Sequence, residues 1–110
     1  MIQGVETKEL VTHRDGRGFF RELIRGSDSI FDEGFGQWSH TMSYQGVAKA
    51  WHIHQKQTDW WYCAVGTIKA ALYDTRPNSP THGEVQEFLM GEGQPPMVLK
   101  IPPGVAHGYR

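Results

Sequence analysis

Apolar and polar residues alternate along this chain in short runs with a period of two, and no stretch keeps the spacing of a long amphipathic helix. The runs at residues 19–24, 36–43, 48–54, 60–65, 67–73, 85–89 and 97–101 predict strands. Turn-forming stretches separate them: Asp15-Gly16-Arg17-Gly18, Pro77-Asn78-Ser79-Pro80 and Gly91 to Pro96. Gly66, between two apolar runs, predicts a tight hairpin, and residues 27–34 a short helical turn. Many short strands at this spacing predict an all-β sandwich or barrel. The 13 glycines agree, because the turns of such folds need backbone at positive φ.

Composition bounds the rest. At 110 residues the chain is expected to make one domain, or part of one, with a modest core. Its 11 basic and 12 acidic residues are scattered rather than blocked, which excludes the basic footprint of a nucleic-acid binder and a polybasic membrane patch. No apolar run reaches the length of a bilayer span, and Glu6, Lys8 and Glu9 interrupt what would be a signal peptide's apolar core. A cytoplasmic protein is expected. Cys63 is the single cysteine, so no intrachain disulfide can form; flanked by Trp61, Tyr62, Ala64 and Val65 it reads as a small core hydrophobe on a buried strand.

The chemistry concentrates between Gly46 and Gly66, in the pattern Gly-x5-His-x-His-x4-Asp-x6-Gly, with His52, His54 and Asp59 as its polar points. A further histidine, His107, follows the turn Pro102-Pro103-Gly104. Side chains two apart on a strand share a face, so His52 and His54 are expected in one cavity, joined by Asp59 from the next strand and His107 from a distant one. Imidazoles with a carboxylate suit a divalent transition metal, here Zn, Ni, Fe, Co or Mn. Strict alternation would turn Lys49, Trp51 and Ile53 outward, unless a bulge resets the strand. His13, His40 and His82 read as surface residues. Trp51 and Trp60 are expected on an outer face that a second sheet or subunit covers.

Four collinear blocks carry a resemblance. Asp15-Gly16-Arg17-Gly18-Phe19-Phe20-Arg21-Glu22, the stretch from Gln37 to His52, Asp74-Thr75-Arg76 with Ser79-Pro80-Thr81-His82-Gly83, and Ile101-Pro102-Pro103-Gly104-Val105-Ala106-His107-Gly108-Tyr109 occur in order. With them the chain resembles the dTDP-4-dehydrorhamnose 3,5-epimerase family of the cupin superfamily. The resemblance implies a double-stranded β-helix, or jelly roll, and a homodimer whose N-terminal strands pair across the interface. It implies His52 as a general base that removes a proton beside the ketone of a nucleoside-diphosphate sugar, a pKa-matched task for imidazole. It also implies Lys49 in the place of an arginine beside the substrate, Arg17, Glu22 and Gln37 as substrate contacts, and His107 in the sugar pocket.

The departures fall on the chemistry. The family's lysine aligns on Asp59, its usual glutamine on His54, and its acid tyrosine lies beyond Arg110, so the last strands of the family fold are expected to be missing from this domain. A carboxylate in an enolate pocket reverses the electrostatics, and a cation between His54 and Asp59 would restore them. Three functions follow. The first is a sugar-nucleotide epimerase using His52, without a cofactor. The second is a metal-dependent cupin using His52, His54, Asp59 and His107 as ligands. The third is a sugar-binding protein without turnover.

Overall fold

The period-two pattern folds into nine strands and one 3-10 turn in a computed structural model that describes residues 1–110. The strands are β1 (Glu6–Glu9), β2 (His13–Asp15), β3 (Gly18–Phe20), β4 (Lys49–His52), β5 (Asp59–Trp61), β6 (Thr67–Asp74), β7 (Val85–Gly91), β8 (Met97–Ile101) and β9 (Val105–Tyr109). A three-stranded sheet runs β1-β8-β5, and a four-stranded sheet runs β4-β9-β6-β7. All pairings are antiparallel, and β2 and β3 form a separate hairpin.

Alternation makes the core. On β6 the inward positions are Ala70, Leu72 and Asp74, all fully buried. Ala70 and Leu72 meet Met90, Val105, Leu99 and Ile101 from the other strands and Ile2 and Val5 from the N-terminal segment. Each fully buried aliphatic side chain stabilises the fold by about 1.5–3 kcal/mol. Asp74 is the polar exception. It accepts hydrogen bonds from Arg76 Nε (2.8 Å), Ser79 Oγ (2.7 Å) and Thr81 Oγ1 (2.6 Å). The Arg76 guanidinium foremost, against the cost of burial, holds its carboxyl far below the usual range. Arg76 also donates to Gln3 O, tying the end of β6 to the N-terminal segment.

Several sequence expectations hold. A strand overlaps each of the predicted runs at β3 to β8, β3 and β5 by only two residues, and residues 27–34 contain the 3-10 turn Ser29–Phe31, whereas β1 and β2 form where no strand was predicted. Others are corrected. Residues 36–43 form no strand, since nothing in the chain pairs with them and an extended segment without a neighbour has no ladder to join. Gly66 makes no hairpin: β5 pairs with β8 and β6 with β7 and β9, so the chain passes at Gly66 from one sheet to the other. That crossing is close, because a Cβ on Gly91 would lie 2.1 Å from Gly66 O. Cys63 is only partly buried and lies outside any strand, its thiol pushed up by burial. Trp60 is covered within the chain, its indole donating to Ile30 O (2.6 Å) and its ring edge-on to Phe31.

Candidate functional site

The open end of the two sheets holds a cavity of about 230 Å³. Its wall is the pair β4 and β9, in register as Lys49 opposite Tyr109 and His52 opposite His107. β4 takes three steps where β9 takes two, so the register slips between these pairs. The slip turns Lys49 into the cavity beside His52, against strict alternation. Gly108 makes the approach possible: a Cβ there would stand 2.7 Å from both Ala50 Cβ and Lys49 O.

His54 follows β4, and its carbonyl accepts from Gly104 N (2.9 Å), which fastens it to the turn before β9. Gly104 has φ 81° and leaves room where Arg76 packs. His107 is 3% exposed. Its Nδ1 lies 3.0 Å from Val105 O, an acceptor that holds the proton on Nδ1 and leaves Nε2 facing the cavity. There Nε2 meets Asp59 Oδ2 at 3.3 Å, while His54 Nε2 lies 3.5 Å from the same oxygen. The other oxygen, Oδ1, accepts from Gln57 Nε2 (2.8 Å). Burial raises the Asp59 carboxyl, but the contacts with His107, Gln57 and His54 outweigh it and leave the group below its ordinary value. Burial likewise lowers His107, and Asp59 with the Val105 carbonyl brings it above the ordinary imidazole value.

The four residues expected in the cavity, His52, His54, Asp59 and His107, therefore line one space, and Lys49, which strict alternation turned outward, joins them. They do not form one ligand group. The donor atoms of His54, Asp59 and His107 lie within 4.8 Å of one another, and His52 stands outside this cluster, its ring 6.4 Å from that of His107. The expected four-residue ligand set is thus three residues plus a separate imidazole.

Tyr109 and Trp61 also line the cavity. Sequence reasoning left Tyr109 out, although its place two residues after His107 on β9 puts both on one face. The Tyr109 hydroxyl lies 2.8 Å from Ser43 Oγ. That hydrogen bond, with Thr41 and the Lys49 charge against burial, lowers the phenol from its usual value. Arg17, Glu22 and Gln37 lie elsewhere. Arg17 pairs with Asp15 and its side chain is 92% exposed, Glu22 pairs with Arg25, and Gln37 donates to Ser39.

The arrangement offers a free imidazole, an ammonium and a phenol on one wall, which is the equipment of proton transfer beside a carbonyl. Comparison with known proteins gives the family. The family model described as dTDP-4-dehydrorhamnose 3,5-epimerase matches residues 1–110. The chain is 51% identical over 110 residues to the spore coat polysaccharide biosynthesis protein SpsL of Bacillus subtilis (strain 168), covering all of this chain and 72% of that one. It is 34% identical over 110 residues to the probable low-salt glycan biosynthesis epimerase Agl13 of Haloferax volcanii, covering 99% of this chain and 70% of that one. Among solved structures, the dTDP sugar isomerase of Desulfovibrio desulfuricans G20 superposes with a TM-score of 0.84 at 27% identity, over 98% of this chain and 68% of that one. These likenesses bear out both the jelly-roll cupin fold and the sugar-nucleotide epimerase reading. The chain belongs to the dTDP-4-dehydrorhamnose 3,5-epimerase family.

Proposed function

We propose that this protein epimerises a nucleoside-diphosphate ketosugar, with His52 as the base that removes the proton next to the ketone. The observation that carries this reading is the slipped register, which sets an accessible imidazole and the Lys49 ammonium side by side on the cavity wall. His52 takes the proton, and the electron pair of the broken C–H bond moves onto the carbonyl oxygen. Lys49 faces the resulting enolate with positive charge. Inversion needs a proton on the face turned away from His52; the Tyr109 phenol, lowered from its usual value, returns it with the substrate lying between the two side chains. The phenolate and the protonated His52 then re-equilibrate with solvent, and no net proton is consumed.

The substrate contacts expected at Arg17, Glu22 and Gln37 need a second copy, because in one chain none of these side chains lines the cavity. Phe19, Phe20, Phe35, Trp38, Met42 and Trp51 are all more than half exposed, and they lie in the same part of the chain as those polar residues. A homodimer covers this apolar surface and carries the β2–β3 hairpin towards the partner's cavity. A cytoplasmic location goes with the reading, and the unpaired Cys63 suits a reducing compartment. No helix is long and apolar enough to cross a membrane.

The test is incubation with a dTDP-4-keto-6-deoxy sugar in D2O. Deuterium should enter the carbon beside the ketone, and His52→Ala should slow entry by about 10²–10⁴-fold. Unchanged exchange in that variant would remove His52 from the chemistry, and binding without exchange would make the protein a sugar sensor.

A further inference from the structure

Two groups on the cavity wall face each other in a way that neutral chemistry does not explain. His107 directs its Nδ1 proton to the Val105 carbonyl, so Nε2 presents a lone pair to Asp59 Oδ2 at 3.3 Å. His54 Nε2 approaches the same oxygen at 3.5 Å. Two acceptors held this close, one of them on a side chain 96% hidden from solvent, need positive charge between them, either a proton on His107 Nε2 or a bound cation.

We propose that His54, Asp59 and His107 form a binding site for one divalent transition-metal ion of the zinc class. Zn–N and Zn–O bonds of about 2.0–2.2 Å in a tetrahedron put neighbouring ligand atoms about 3.3–3.6 Å apart. The Asp59 contacts of 3.3 and 3.5 Å are edges of that size. The supporting contacts are those of a metal centre as well. The outer nitrogen of His107 is fixed by a backbone carbonyl, and the outer oxygen of Asp59 is fixed by Gln57. Trp61 stands edge-on to His107, its ring centroid 5.3 Å away, and keeps the imidazole plane in place. An ion held by these three residues would face the cavity that all of them line.

The site stands apart from the epimerase reading, since His52 is not one of its ligands. An ion held there would place positive charge beside Asp59, where a bare carboxylate would repel an enolate.

The experiment is calorimetric titration of chelator-treated, tag-free protein with ZnCl2 alone, without any sugar nucleotide. One ion per chain should bind and raise the melting temperature. Asp59→Asn should abolish binding, Gln57→Leu should weaken it about 10–100-fold, and His52→Ala should leave it in place. Co2+ in the same site should give the intense visible bands of a four-coordinate centre. Absence of binding, binding that survives Asp59→Asn, or binding lost in His52→Ala would each overturn the assignment. The first result would mean that a proton on His107 fills the gap. Failure here leaves the deuterium experiment untouched, and failure of that experiment leaves the titration untouched.

Discussion

His52 and His54 are two apart and share a cavity, yet they have different neighbours. His52 ends β4 opposite His107, with its imidazole exposed, whereas His54 sits past the strand end, where the bond to Gly104 turns it towards Asp59. The division leaves one imidazole for proton transfer and groups the other with a carboxylate. Tyr109, which also lines the cavity, is the proposed acid. Tyr109→Phe keeps the ring against Trp61, 5.7 Å between centroids, and removes only the hydroxyl. Its expected effect is a split: deuterium exchange at the substrate carbon persists, while formation of the inverted product falls about 10²-fold or more. Equal loss of both, followed by NMR in D2O, would put Tyr109 in binding rather than protonation. At this scale the histidines and Asp59 were legible, because spacing on strands determines which side chains share a face. Lys49 was not, because one slipped residue reverses its direction and leaves no mark in the pattern.

At the scale of elements, the β4–β9 pair positions the site and the end of β6 holds it in place. Gly108 is the reason β4 lies so close, and Asp74 the reason the 76–81 turn packs under the Gly104 loop, since Arg76 fills the space beside Gly104. Asp74 has its folded pKa depressed, so its contribution is fully present above the ordinary carboxylate range, and it fades as pH falls below about 4 towards the folded value. Asp74→Asn should therefore cost about 3–5 kcal/mol at pH 7, because it leaves the Arg76 charge without its buried partner. The cost should shrink in acid, which chemical denaturation at pH 7 and pH 3 would measure. A penalty that does not change with pH would place the effect in packing. Most strands with a partner in the chain were legible, but β1 and β2 were not, although they pair with β8 and β3, because Glu6–Glu9 and His13–Asp15 carry no apolar alternation. The pattern was misread at residues 36–43 and at Gly66, because alternation names a strand without naming its neighbour.

For the whole molecule, the uneven distribution of apolar surface is the main feature. Trp38 is 80% exposed and Phe35 70%, whereas the core between the sheets is closed. A second copy is the proposed cover, and sedimentation equilibrium should show a dimer at micromolar concentration. Trp38→Glu should raise its dissociation constant about 10-fold or more, and the loss of activity should follow the loss of dimer across a dilution series. A monomer with full activity would confine the site to one chain. The sequence by itself determined the all-β class, the family and the residue types at the site, since these depend on local periodicity and on motifs written within a few positions. Only the tertiary structure decided which strands pair, which way Lys49 points and that three of the four expected ligands form one group. Each of those depends on a register between segments far apart in the chain, and register is an energy of contact that no single segment contains.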